Sequence, residues 1–181
     1  NKFDLITNNS NDIIAFFTFE PKQTYLYVSP NIKTILGFSP EELMKEPDFF
    51  KNRLISGHEK FSHHAKALRN NQKNKIKKNI HFSFNILNKS HESVWLENNL
   101  VPIINSNGKI DFYINIIRNI TEQKIAEQKI ENQYMNYRNL LDHSPAAYII
   151  HHHGTCLYLN KALLDIIKYK NKSDILGSFV I

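Results

Sequence analysis

The chain has 181 residues, of which 41% are hydrophobic and 12% aromatic, enough apolar side chain for a packed core and too much for a disordered tail. Only five Gly and six Pro exclude collagenous or low-complexity sequence. The net charge of +6 rests on 19 Lys but only four Arg. Its densest run, residues 69–78 (RNNQKNKIKK), holds a single Arg and no aromatic, so it reads as a solvated helix end and loop rather than a nucleic-acid surface.

The single Cys, Cys156, excludes an intramolecular disulfide and is compatible with a reducing compartment. No apolar stretch approaches the roughly 18 residues a spanning helix needs, and no signal peptide opens the chain. A start at Asn1 reads as a piece of a larger protein, whose membrane anchor, if it has one, lies upstream.

Residues 3–10 (FDLITNNS) suggest a short helix. Residues 13–19 (IIAFFTF) are β-branched and aromatic and read as a buried strand. Residues 20–24 read as a turn, and 25–28 as a second strand. Ser29-Pro30 reads as a helix start with Ser as cap, and Gly37 as its stop. Ser39-Pro40-Glu41-Glu42 starts a second helix, with acids in its first turn against the dipole. A short helical piece over 48–54 and a longer helix over 59–70 follow.

The texture then changes to period two. Ile80, Phe82, Phe84 and Ile86 alternate with polar residues along one strand. After a polar turn at 88–91, a long strand spans 93–104, NSNGK at 105–109 turns the chain, and a third long strand runs from 110 to about 120. Two strands, several short helices and three long antiparallel strands imply an α+β fold: a five-stranded sheet with the helices on one face and a cavity between.

From Thr121 the chain lacks Gly and Pro for twenty residues and reads as a helix. Ile120, Gln123, Glu127, Ile130, Tyr134, Tyr137 and Leu141 step by three and four, a weak heptad seam that a solvated connecting helix would also show. Beyond it the opening pattern repeats. Residues 137–150 parallel 3–16, with Ser144 over Ser10, and 155–169 parallel 24–38. This second copy ends at Ile181, before its long strands.

The segments YVSPNIKTILGFSPEEL at 27–43, VWLE at 94–97, NIT at 119–121 and LYLNKALLDIIKYKNKSDILG at 157–177 resemble the PAS family, and the resemblance covers almost the whole chain. It implies a PAS domain at 1–120, a helical linker with possible coiled coil at 121–141, and the first part of a second PAS domain at 142–181. It also implies the sensory region of a bacterial signalling protein, cytoplasmic and homodimeric through its flanking helices. In such a protein the domain relays a cue to a downstream histidine kinase or diguanylate cyclase. None of those catalytic motifs is present, so the chain itself is not expected to be an enzyme. Contact with nucleic acid, or with a membrane within this segment, is not expected either.

The same resemblance places Phe16, Tyr27, Ile35, Leu36, Phe38, Leu43, Phe50, Phe82, Phe84, Leu100 and Ile114 around the interior, where they either fill a close-packed core or line a ligand cavity. His64, Ser83 and Asn99 are candidate polar groups for such a cavity. His63 and His64 are candidate axial ligands for haem. A photoreactive flavin adduct is excluded from the first domain, which has no Cys, although flavin held without an adduct is not. A colourless small molecule, or no ligand, completes the alternatives. The relay to the linker falls on Trp95, Asn119, Ile120 and Thr121, with Asn119 standing where the family usually has Asp and Thr121 expected to cap the helix. Ile130, Tyr134, Tyr137 and Leu141 form the expected dimer seam. His151-His152-His153 read as hairpin residues, because neighbours on an extended chain point to alternate sides and converge poorly on a metal.

Overall fold

The computed structural model describes residues 10–18, 23–46, 48–63 and 79–180. The helix expected at 3–10, most of the turn at 20–24, the second half of the helix at 59–70 and the basic run at 69–78 lie outside these, as does His64. The chain divides into two units, 1–124 and 125–181.

In the first unit, β1 (Ile13–Thr18) and β2 (Thr24–Val28) form a hairpin. Helix α1 (Asn31–Leu36) follows and ends at Gly37, whose φ of 79° is the left-handed conformation that closes a helix without a Cβ clash. Helix α2 (Pro40–Lys45) begins with a capping box: Glu42 N–H donates to Ser39 Oγ, and Ser39 N–H donates to the Glu42 carboxylate. A 3-10 turn at Lys51–Arg53 leads into β3 (Leu54–Ser56), and residues 58–63 form the helical stretch α3. Three long strands complete the unit: β4 (Ile80–Leu87), β5 (Ser93–Ile104) and β6 (Ile110–Asn119).

The sheet order is β2-β1-β6-β5-β4-β3. The expected five strands are therefore six, because β3 adds to the outer edge of β4 through Leu54 and Ser56. Three residues directly after a helical turn carry too little periodicity to be read as a strand. The sheet is antiparallel throughout, and a single core lies between one of its faces and the helices.

Helix α4 (Thr121–Asp142) is continuous, so the opening helix of the second copy is the end of the linker itself. In the second unit β7 (Ile149–His152) and β8 (Thr155–Leu159) form a hairpin. Its loop, His153-Gly154, has positive φ at both residues, as a tight two-residue turn requires. Helix α5 (Lys161–Ile167) follows, then a 3-10 turn at Lys172–Asp174. The buried hydrophobic residues of this unit are Cys156, Leu159, Leu164 and Ile175.

Candidate functional site

The interior of the first unit is set by the pleat. Along β5, Val94, Leu96, Asn98 and Leu100 are buried and alternate with half-buried neighbours. Along β6 the buried set is Tyr113, Asn115 and Ile117, and along β1 it is Ile13, Ala15 and Phe17. The register joins them into one face: Ala15 stands beside Asn115, Asn115 beside Leu100, and Asn98 beside Ile117. Leu36, Leu43, Phe50, Phe84 and Leu100 are buried in this core, and Ile35, Phe38 and Phe82 pack against it. Phe38, Phe49, Phe50, Phe84, Phe61 and Phe82 form a chain of edge-on and tilted rings with centroids 5.0–6.0 Å apart. Such contacts add about 0.5–1.5 kcal/mol per pair beyond burial.

Four expected cavity residues belong to the other face. Phe16, Tyr27, Asn99 and Ile114 are half-buried there, Phe16 against the rings of Tyr27 and Phe112 at 5.5 and 5.7 Å. Ser83, paired with Glu97, is on that face too. The error is one of parity: adjacent residues on a strand face opposite sides, so Asn99 and Leu100 cannot both point inward. In β6 the alternation misled, because the outer stripe Phe112, Ile114 and Ile116 is more apolar than the buried stripe Tyr113, Asn115 and Ile117.

What the sequence reading missed is a pair of inward carboxamides, Asn98 and Asn115, 5% and 8% exposed. Asn115 Oδ1 is buried without a hydrogen-bond partner among the described residues. Its cross-strand neighbour, Ala15, has the smallest side chain on the inner face of β1. An oxygen that has lost water and gained no donor costs about 1–3 kcal/mol, so its place in this largely apolar core calls for a partner. The alternation Val94-Leu96-Asn98-Leu100 was the one available signal.

His63 ends the described part of α3 as an exposed residue, while Phe61 of the same stretch packs on the core. His63 is thus outside the buried core of the described residues. No cluster of three or more His, Cys, Asp or Glu able to hold a metal occurs among the described residues, His151–His153 included.

The end of the sheet is tied to α4 by a short hydrogen-bond chain. Ile120 N–H donates to the Trp95 carbonyl (2.9 Å), and Trp95 N–H donates to Thr121 Oγ1 (3.0 Å). The Thr121 hydroxyl in turn donates to Asn119 Oδ1 (2.6 Å), which also receives Thr121 N–H (2.9 Å). Thr121 therefore does not serve the helix as its cap: its hydroxyl is spent on the sheet, and Asn119 supplies the acceptor for the first helical N–H. The ion pair at this end is Asp12 with Arg118, two parallel bonds of 3.0 Å, to which the higher affinity of the Arg118 guanidinium for its proton is due. An open groove of about 470 Å³ lies beside the root of α4, lined by Ser10, Asn11, Asn31, Thr34, Ile35, Asn119 and Glu122.

Ser29 also departs from its expected role. Pro30 occupies the cap position of α1 without a side-chain bond, and Ser29 Oγ instead receives Ile14 N–H at 2.9 Å. Along α4, Ile130, Tyr134 and Tyr137 are 58–68% exposed. Leu141 is half-buried, and its carbonyl is held by Asn160. Ile125 and Met135 are exposed on roughly the opposite side of the helix, so apolar exposure is not confined to the expected seam. No helix among the described residues is long and apolar enough to cross a membrane.

A family model described as "PAS domain" matches residues 11–122, and a second of the same description matches 135–181. No curated protein sequence matches the chain. Among solved structures, an RNA-binding light-oxygen-voltage receptor is similar over 76% of this chain and 38% of its own, with TM-score 0.60 and 18% identity. This chain thus spans well under half the length of that protein. A sensory box histidine kinase/response regulator from Burkholderia thailandensis matches over 77% of this chain and 100% of its own, with TM-score 0.54 and 17% identity. The N-terminal domain of a diguanylate cyclase with PAS/PAC sensor from Marinobacter aquaeolei matches over 62% and 98%, with TM-score 0.52 and 12% identity. At these identities the structures share the fold, an antiparallel sheet with short helices on one face, and the match of family model to 11–122 covers more than half the sequence: the chain belongs to the PAS domain family.

Proposed function

We propose that the first unit is the sensory input module of a signal-transduction protein. It binds a small ligand between the sheet and the helices, and passes the change through Asn119–Thr121 into α4 and on to an output domain elsewhere in the parent protein. The observation that carries this reading is Asn115 Oδ1, an acceptor buried on the inner face of the sheet without a donor among the described residues. A ligand bearing an N–H or O–H supplies what the core leaves out. The family's occurrence in sensor kinases and diguanylate cyclases supports the signalling role.

A second reading has its own observation. The exposed Ile130, Tyr134 and Tyr137 suit a homodimer joined along α4, in which the domain sets helix register without any ligand.

One experiment separates the two. Native mass spectrometry of the purified chain, with an absorption spectrum from 300 to 700 nm, looks for a bound molecule, and thermal melts compare wild type with Asn115→Leu. For a sensor, a released small molecule is expected, and Asn115→Leu weakens its retention by about 5- to 100-fold, the worth of one buried hydrogen bond. A chain free of ligand, whose Asn115→Leu variant melts higher because an orphan oxygen has been removed, sinks the ligand reading and leaves the dimeric relay.

A further inference from the structure

Helix α4 is 22 residues, about 33 Å, and between residues 125 and 140 every position is exposed. A helix solvated on all sides is held by what grips its ends. Its first turn is gripped by Trp95, Thr121 and Asn119, as described above. Its last turn is gripped within the second unit by two sets of bonds. Asn160, fully buried, donates through Nδ2 to the carbonyls of Leu141 (3.0 Å) and Ala146 (2.7 Å), and accepts Tyr148 N–H (2.9 Å) and Leu163 N–H (3.1 Å) on Oδ1. Asp142, the last residue of α4, receives both the Tyr158 hydroxyl (2.9 Å) and the Lys172 ammonium (2.6 Å) on a single oxygen. Lys172 also lies over the Tyr158 ring, 5.4 Å from its centroid.

We propose that Asp142, Tyr158 and Lys172 form a latch fixing the end of α4 to β8 and to the 3-10 turn of the second unit, so that the second unit is the first recipient of any motion at the Thr121 root. This rests on the reading of α4 as the relay. The latch joins three separate segments at one carboxylate oxygen: the helix end, the strand and the 3-10 turn. Asn160 lies beside it and fixes the two amides, Tyr148 and Leu163, that register whether the joint is closed. Motion delivered along α4 meets this joint before anything further along the chain.

Hydrogen–deuterium exchange on the whole 181-residue chain tests it without any ligand, so its failure is independent of the cavity. The variants are Thr121→Val, which removes the acceptor for Trp95 N–H and leaves the backbone bond from Ile120 N–H to the Trp95 carbonyl, and Asn119→Ala/Thr121→Val, which also removes the acceptor for the first helical N–H. Each is made alone and combined with Asp142→Asn/Lys172→Met. With the latch intact, freeing the root is expected to speed exchange at Tyr148 and Leu163 at least about threefold. With the latch removed those amides already exchange faster, and freeing the root adds nothing, a non-additivity that a purely local role does not produce. Asp142→Glu should restore the wild-type response. Second-unit rates unchanged by either root variant, or effects of root and latch that simply add, overturn the proposal.

Discussion

In the first unit the joint between the segment before β1 and the turn after β2 is held by two side chains; in the second it is held by one. Ser29 takes Ile14 N–H on its hydroxyl, and Asn31 donates through Nδ2 to the carbonyls of Ser10 and Asp12. In the second unit Asn160, the counterpart of Ser29, takes Tyr148 N–H and donates to Ala146, the counterparts of Ile14 and Asp12. It also caps α5 through Leu163 N–H, a duty Ser29 lacks in α1. A carboxamide has both an acceptor and two donors, whereas a hydroxyl is too short to reach both sides. The same backbone joint thus forms from different residues, provided its N–H and C=O groups are all met.

The units differ more in what lies under that joint. The first packs a large core beneath its sheet, while the second has four buried hydrophobic residues among those described and leaves Ile149 and Ile150 of its two-stranded sheet exposed, with Tyr148 just before them. Local turns and caps need only neighbouring sequence, whereas burial needs the long strands that β4, β5 and β6 supply. A two-stranded sheet is marginal by itself, so the second unit depends more on its polar joint than the first does.

The sharpest test of that difference is Phe84→Ala. Its ring is buried among Phe50, Phe61 and Phe82, and removal is expected to destabilise the first unit by about 3–5 kcal/mol in urea melts. Exchange within the second unit should hardly change; a matching loss there would show that the units fold as one. Next, Asn160→Ala orphans groups on both sides of its joint and should cost about 2–3 kcal/mol in the second unit. Ser29→Ala leaves one N–H unpaired and should cost about 1 kcal/mol in the first. Equal losses would mean that Asn31 and Ser29 act as a single group. The smallest effect is electrostatic. The bond from Lys172 holds the Asp142 carboxyl below the usual range, so the bridge stabilises the fold above the ordinary carboxylate pKa and is lost as pH falls through the lower folded value. Being partly exposed, it is worth less than about 1 kcal/mol. The difference between wild type and Asp142→Asn in second-unit stability should be seen at pH 7 and close below about pH 4. The Tyr158 phenol, pushed up to about 12 chiefly by burial and then by Asp142, should titrate late in a spectrophotometric comparison with Tyr158→Phe.

The residues by themselves specify most elements. The boundaries of β5, the capped start of α2, the stop at Gly37, the turn around Gly108 and the long helix from Thr121 follow from period, capping chemistry and glycine, all of them local. The doubled pattern of 24–38 and 155–169 was legible for the same reason: it repeats local preferences. Tertiary structure alone decided which face of β1 and β6 is buried, because both faces carry apolar residues and only the position of the helices breaks the tie. It likewise decided that Ser29 and Thr121 bond to strands distant in sequence rather than to their own helices, since a hydroxyl goes to whichever unpaired backbone group the fold brings within reach. The placement of Asn115 belongs with these: that its carboxamide oxygen, like Ser56 Oγ, is buried without a partner among the described residues depends on every neighbour that packing sets around it.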